Sequence, residues 1–115
     1  MAVNQSYLNY VIGQLSEVPD FTWKKMFGGV GFFRGDAMWG AIMSDGDTFR
    51  LKVDATNQAV FEAAGSSPFA MEMKGKQMSM PYWTVPEHVV ADPTKLSEWV
   101  EVAAQVAERK KKKKR

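Results

Sequence analysis

Tyr7, Leu8, Val11, Ile12 and Leu15 recur at i, i+1, i+4, i+5 and i+8, one stripe of an amphipathic helix. Asn4 has the chemistry of a helix cap and Pro19 forbids continuation, so the pattern predicts a first helix over about 4–17. From Phe21 to Val53 the signal changes to aromatic and β-branched residues interrupted by Gly28-Gly29, Gly35-Asp36 and Asp45-Gly46. Four strands are expected, near 21–27, 30–34, 37–43 and 48–53. Asp54-Ala55-Thr56 then caps a short helix through Ala64, with Gly65 as a left-handed C-cap and Phe61 as the best inward residue.

Between Phe69 and Tyr82 the alternation is that of a hairpin. A two-residue turn at Gly75-Lys76 pairs Lys74 with Gln77, Met73 with Met78, Met71 with Met80 and Phe69 with Tyr82, while Glu72 and Ser79 face the other way. Pro86-Glu87 opens a turn or short helix. Asp92-Pro93-Thr94 starts the last helix, whose stripe is Leu96, Trp99, Val100, Ala103, Val106 and Ala107. The predicted class is α+β: an antiparallel β-sheet with helices packed on one face, in the order α-ββββ-α-ββ-α.

At 115 residues the chain is one domain's worth of sequence, long enough to bury roughly two-thirds of its unfolded surface. The absence of cysteine excludes a disulfide scaffold, a thiolate metal site and a cysteine nucleophile. No run is long and apolar enough for a membrane span, and the N-terminus lacks the marks of a signal peptide. A soluble cytoplasmic domain is therefore expected.

The net charge of +2 hides an asymmetry, because seven of the fifteen basic residues are Arg109, Lys110, Lys111, Lys112, Lys113, Lys114 and Arg115. Residues 1–108 carry eight basic against thirteen acidic groups, a net −5. The reading is a domain over 1–108 and a basic, disordered tail over 109–115 into which the last helix runs and frays. The tail is a solvated solubility feature, a phosphate-backbone contact for DNA or RNA, which carries no sequence information, or an accident of sequence without function.

Candidate chemistry is sparse. His88 beside Glu87 reads as a solvated surface histidine, and Asp45 and Asp47 around Gly46 match turn chemistry better than a calcium loop, whose other ligands are missing. Gly28-Gly29-Val30-Gly31 lacks the following helix and Lys-Ser/Thr pair of a phosphate cradle, so a bulge or tight strand crossing explains it better. No catalytic residue, metal or cofactor is assigned.

Lys25-Met26-Phe27-Gly28-Gly29-x-Gly31, Gly35, Leu51-Lys52-Val53-Asp54, Ala64-Gly65-Ser66-x-Pro68-Phe69 and Met80-x-Tyr82-x-x-Val85-Pro86 occur in one order. Together they resemble the TfoX/Sxy N-terminal domain family, from about Lys24 to Trp99. The resemblance implies an α+β fold related to secretion-chaperone-like domains. It also implies kinship with bacterial competence regulators that act on transcription with a cyclic-AMP receptor protein, and it brings no enzymatic activity. Lys24 stands where the family usually has arginine, keeping the charge but losing the planar fork. Full-length regulators continue into a helical second domain where this chain has its basic end, so a stand-alone domain is expected.

Two-residue turns at Gly35-Asp36 and Asp45-Gly46 pair Phe33 with Met38 and Ile42 with Phe49, building one apolar face with Leu51 and Val53. The opposite face then aligns Phe32, Trp39, Arg50 and Lys52, an aromatic–cationic row for a partner or for base stacking, or one covered by its own lysine and arginine stems. Lys24 and Lys25 join this candidate surface, whereas Met26, Phe27, Gly28 and Gly29 read as structural. The four methionines of the second hairpin either form an adaptable docking surface or, more economically, pack against the first or last helix. The functional expectation is a non-enzymatic regulatory or interaction domain, monomer or homodimer, with a protein partner in the transcription machinery and nucleic-acid help from the tail. The alternatives are a small-ligand-binding or enzymatic domain using the Lys24–Gly29 turn and Lys52, and a chaperone-like homodimer.

Overall fold

The computed structural model describes residues 4–26, 28–43 and 48–113, with side-chain surroundings left out at 70–73, 77–79 and 110–113. The elements are α1 (Gln5–Gln14), β1 (Thr22–Met26), β2 (Gly29–Arg34), β3 (Ala37–Ile42), β4 (Phe49–Lys52), α2 (Gln58–Ala63), β5 (Pro68–Met73), β6 (Lys76–Thr84), α3 (Glu87–Val90) and α4 (Pro93–Lys113). The strands form one antiparallel sheet in the order β1-β2-β3-β4-β6-β5. Among the described residues no helix is long and apolar enough to cross a membrane.

Local chemistry accounts for the element ends. Asn4 caps α1 by accepting from the Tyr7 N–H at 3.1 Å. Gly65, at φ +82°, ends α2: its N–H reaches the Glu62 carbonyl, and the Ser66 N–H reaches the Phe61 carbonyl, both at 3.0 Å. The segment after Pro86 forms the short helix α3, an addition to the expected order. The expected Asp45-Gly46 turn lies outside the described residues.

The helices cover one face. Leu8, Val11 and Leu15 of α1, Phe61 of α2, Val89 and Val90 of α3 and Leu96, Val100, Ala103 and Ala107 of α4 share one cluster with Val30, Phe32, Trp39, Ile42, Phe49 and Leu51. Burying these side chains at roughly 25 cal/mol per Å² of apolar surface is the main force holding sheet to helices.

Two registers differ from expectation. Phe33 pairs with Met38 and Ile42 with Phe49 as expected, but Phe32 pairs with Gly40, so β3 carries one extra residue, Trp39, in a β-bulge. The bulge inverts the alternation: Phe32 and Trp39 turn into the core, where they are 0% and 1% exposed, and Phe33 and Met38 turn away from the helices. Trp39 packs there against Phe32 at 5.6 Å and Phe49 at 6.4 Å between ring centroids. In the second hairpin Met73 pairs with Lys76 and Met71 with Met78, so the turn is Lys74-Gly75 rather than Gly75-Lys76. Both turn residues have positive φ, +55° and +79°, the geometry that fits the right-handed twist of the flanking strands. Beyond it the ladder is irregular, and Pro68 rather than Phe69 pairs, with Trp83 as its partner.

The last helix continues as far as Lys113, running into the basic end as the stripe predicts. Lys114 and Arg115 lie outside the described residues.

Candidate functional site

The sheet face turned away from the helices carries the site. Cross-strand partners share a face, and the pairs Lys24–Gly31, Gly31–Ala41 and Ala41–Arg50 make one continuous row across β1, β2, β3 and β4. The two middle residues are small and the two ends are cationic. Above Gly31 and Ala41 opens a groove of about 420 Å³, walled by Met26, Met38, Met43, Phe69, Met80 and Tyr82. Met26 comes from β1 and Met80 from β6, so the sheet curls enough for distant strands to line one depression.

Glycine at position 31 makes the floor possible. A Cβ there would meet the Met38 sulfur at 2.7 Å and the Met26 sulfur at 2.9 Å, so the two thioethers fold over the bare backbone. At position 29 a Cβ would meet the Ile42 carbonyl oxygen, and Gly28 takes φ +78° in the β1–β2 turn. These glycines are explained by close approach and turn geometry.

Three sheet cations lie against aromatic rings. Lys24 Nζ sits 5.7 Å from the Phe33 centroid, Arg50 Cζ 4.6 Å from Phe69, and Lys52 Nζ 5.3 Å from Tyr82, its partner across the ladder. Arg50 is 8% exposed and Tyr82 5%. The Tyr82 hydroxyl donates to the Met38 carbonyl oxygen at 3.4 Å, and burial pushes its pKa up to about 12. Charge is divided by element: six of the eight basic residues of 1–108 lie in strands, whereas Glu72 is the one strand acid among the described residues.

Of the sequence-derived surface, Lys24, Arg50 and Lys52 do occupy the open face. Phe32 and Trp39 do not, because the bulge moves them to the core and puts Phe33, Phe69 and Tyr82 in the aromatic role. Lys25 pairs with the core residue Val30 and belongs to the other face. Lys24 and Lys52 are separated by β2 and β3, so they do not converge on one small ligand. Met80 lines the groove instead of packing on a helix. Met71, Met73 and Met78 have side chains outside the described residues, as does Phe27. The glycine within β3, Gly40, was the one local signal of a bulge.

Elsewhere, Arg109 does not extend freely: its Nη2 lies 3.6 Å from the Asp54 carboxylate and donates to the Thr56 hydroxyl at 3.1 Å. Burial pushes the Asp54 carboxyl up, but hydrogen bonds from Thr56 and the Arg109 charge outweigh it and hold the pKa below the usual range. Arg34 bridges sheet to helix, donating to Glu101 at 3.0 Å and Glu108 at 2.9 Å. His88 is exposed on α3. Among the described residues no three His, Cys, Asp or Glu side chains gather as a metal site, and Asp45 and Asp47 lie outside them.

A family model described as the TfoX N-terminal domain matches residues 13–107. No curated protein matches the chain.

Proposed function

The chain belongs to the TfoX N-terminal domain family, and from that premise we propose that it is a non-enzymatic regulatory domain acting on transcription through protein contacts. One observation carries the reading: the sheet face opposite the helices holds a methionine-lined groove bordered by cations rather than a convergent set of reactive groups. Methionine side chains are unbranched and polarizable, suited to packing against apolar groups of varied shape. A groove with such walls on an otherwise charged surface has the composition of an interaction site. The basic end of α4 adds sequence-independent phosphate contact, leaving specificity to the protein partner.

Photocrosslinking from inside the cell tests the reading. A photoreactive residue replacing Met38, on the open face, is compared with one replacing Gln105, exposed on α4. The expected result is an adduct between the Met38 position and a component of the transcription machinery, absent from position 105. Adducts only with a second copy of the chain would replace this function with a homodimer, and identical adducts from both positions would overturn it.

A further inference from the structure

We propose that the groove recognises an acidic protein segment presenting a bulky apolar side chain, an inference that rests on the open face being the partner surface. The apolar element follows from the floor of Gly31 and Ala41 and the thioether walls. The acidic element follows from where the charges sit. Lys24 is one ladder position from Gly31, Arg50 one from Ala41 and Lys52 is paired with Tyr82, so every groove-lining strand residue just named has a cation beside it. Among the described residues Glu72 is the single acid in any strand. An acidic segment approaching the open face therefore meets charge complementary to its own beside the groove, which selects and orients it.

Position of the charges also selects the kind of partner. Lys24 lies on β1 and Lys52 on β4, with β2 and β3 between them, which suits separate carboxylates of an extended segment better than one headgroup of a small anion. Base stacking is disfavoured because Tyr82 is buried and each aromatic ring of the face already has a cation against it.

Fluorescence anisotropy on the full chain tests the assignment with three labelled peptides of equal length. The first carries leucine anchors among glutamates, the second the same anchors among lysines, and the third glutamates with serine for the anchors. A thymidine oligonucleotide is the fourth probe. The third peptide measures attraction by the basic end of α4, so the groove's share is the ratio between the two acidic peptides. The anchored acidic peptide is expected to bind at least about tenfold tighter than either of the other two. Lys24→Glu with Lys52→Glu should abolish its advantage over the lysine peptide, and Gly31→Leu should abolish its advantage over the serine peptide. Near-ultraviolet circular dichroism checks each fold, and the charge reversals, on exposed or half-exposed side chains, keep the test valid if Gly31→Leu unfolds. Equal binding of both anchored peptides, lost in Gly31→Leu, overturns the acidic assignment while leaving a partner surface. Failure of every anchored peptide to exceed the serine one overturns both. Oligonucleotide binding lost on charge reversal overturns the protein assignment in favour of nucleic acid.

Discussion

Gly29 approaches Ile42 so closely that a Cβ at position 29 would overlap the Ile42 carbonyl oxygen. Backbone lies on both sides of that contact, and no rotamer relieves it. On the same strand Gly31 is also tight, but its obstructions are the flexible ends of Met38 and Met26. Gly29→Ala is therefore expected to cost more than about 2 kcal/mol, and Gly31→Ala to fall within about 1 kcal/mol of the parent. Urea denaturation of the two variants checks the contrast, which reverses if strand β2 is displaced by one residue.

The β3 bulge makes a second contrast. Trp39 is buried against Phe32, Phe49 and Phe21, whereas Phe33 is half-exposed on the open face. Trp39→Ala should cost about 3–5 kcal/mol. Phe33→Ala should cost less than about 1.5 kcal/mol. Equal losses in chemical denaturation would contradict the inverted alternation.

These two residues also show where the sequence is legible. The stripes of α1 and α4 and the Gly65 cap follow from nearest-neighbour geometry, so pattern alone reveals them. Strand existence was equally readable, but facing is a parity, and one extra residue at Trp39 inverts it over the rest of the pairing with β2. Whether the ladder admits that residue is decided by the space beneath Phe49 and the helices, which no local signal reports beyond Gly40. Lys24, Arg50 and Lys52 are legible on the open face because no bulge separates them from their partners. Phe69 and Tyr82 escaped because they reach the groove through a non-local pairing and an irregular hairpin ladder.

Acid should weaken the link between sheet and α4. Hydrogen bonds from Arg34, then from Gln105, hold the Glu101 carboxyl below its usual range against the opposing effect of burial. Asp54 is held low by Thr56 and Arg109 against its own burial. A carboxyl depressed in the folded state adds stability above its unfolded pKa and loses it as pH falls through the folded one. Thermal midpoints should fall through the acidic carboxylate range, and more shallowly in Arg34→Gln. Exposure of the partners keeps the difference small. Parallel curves for parent and variant would remove the Arg34 bridge from the account of acid stability.

Alkali acts on the open face. Burial raises Tyr82 from 10.0 to about 12, so its contribution is fully present below the unfolded value and lost as pH rises through the folded one. Unfolding midpoints should fall between about pH 10 and 12, with a smaller fall in Tyr82→Phe. Ultraviolet titration of tyrosinate should lose its latest component in the same variant. An unchanged titration would mean that Tyr82 is open to water.

The basic end of α4 divides at Arg109. That residue is engaged with Asp54 and Thr56, so removing it would disturb the β4–α2 loop as well as the charge. Truncation after Arg109 removes the six cations from Lys110 to Arg115 and leaves that contact intact. If those six neutralise phosphates, the affinity of the full chain for a random DNA duplex should fall with salt at a log–log slope of about −5. The truncated chain keeps nine basic against thirteen acidic groups, a net −4, and should show no measurable binding under the same conditions. Anisotropy at several salt concentrations separates the two. Binding that survives truncation with the same slope would move the phosphate contacts to the sheet cations, whereas a slope lost with the last six residues confines them to the helix end and leaves the groove to protein.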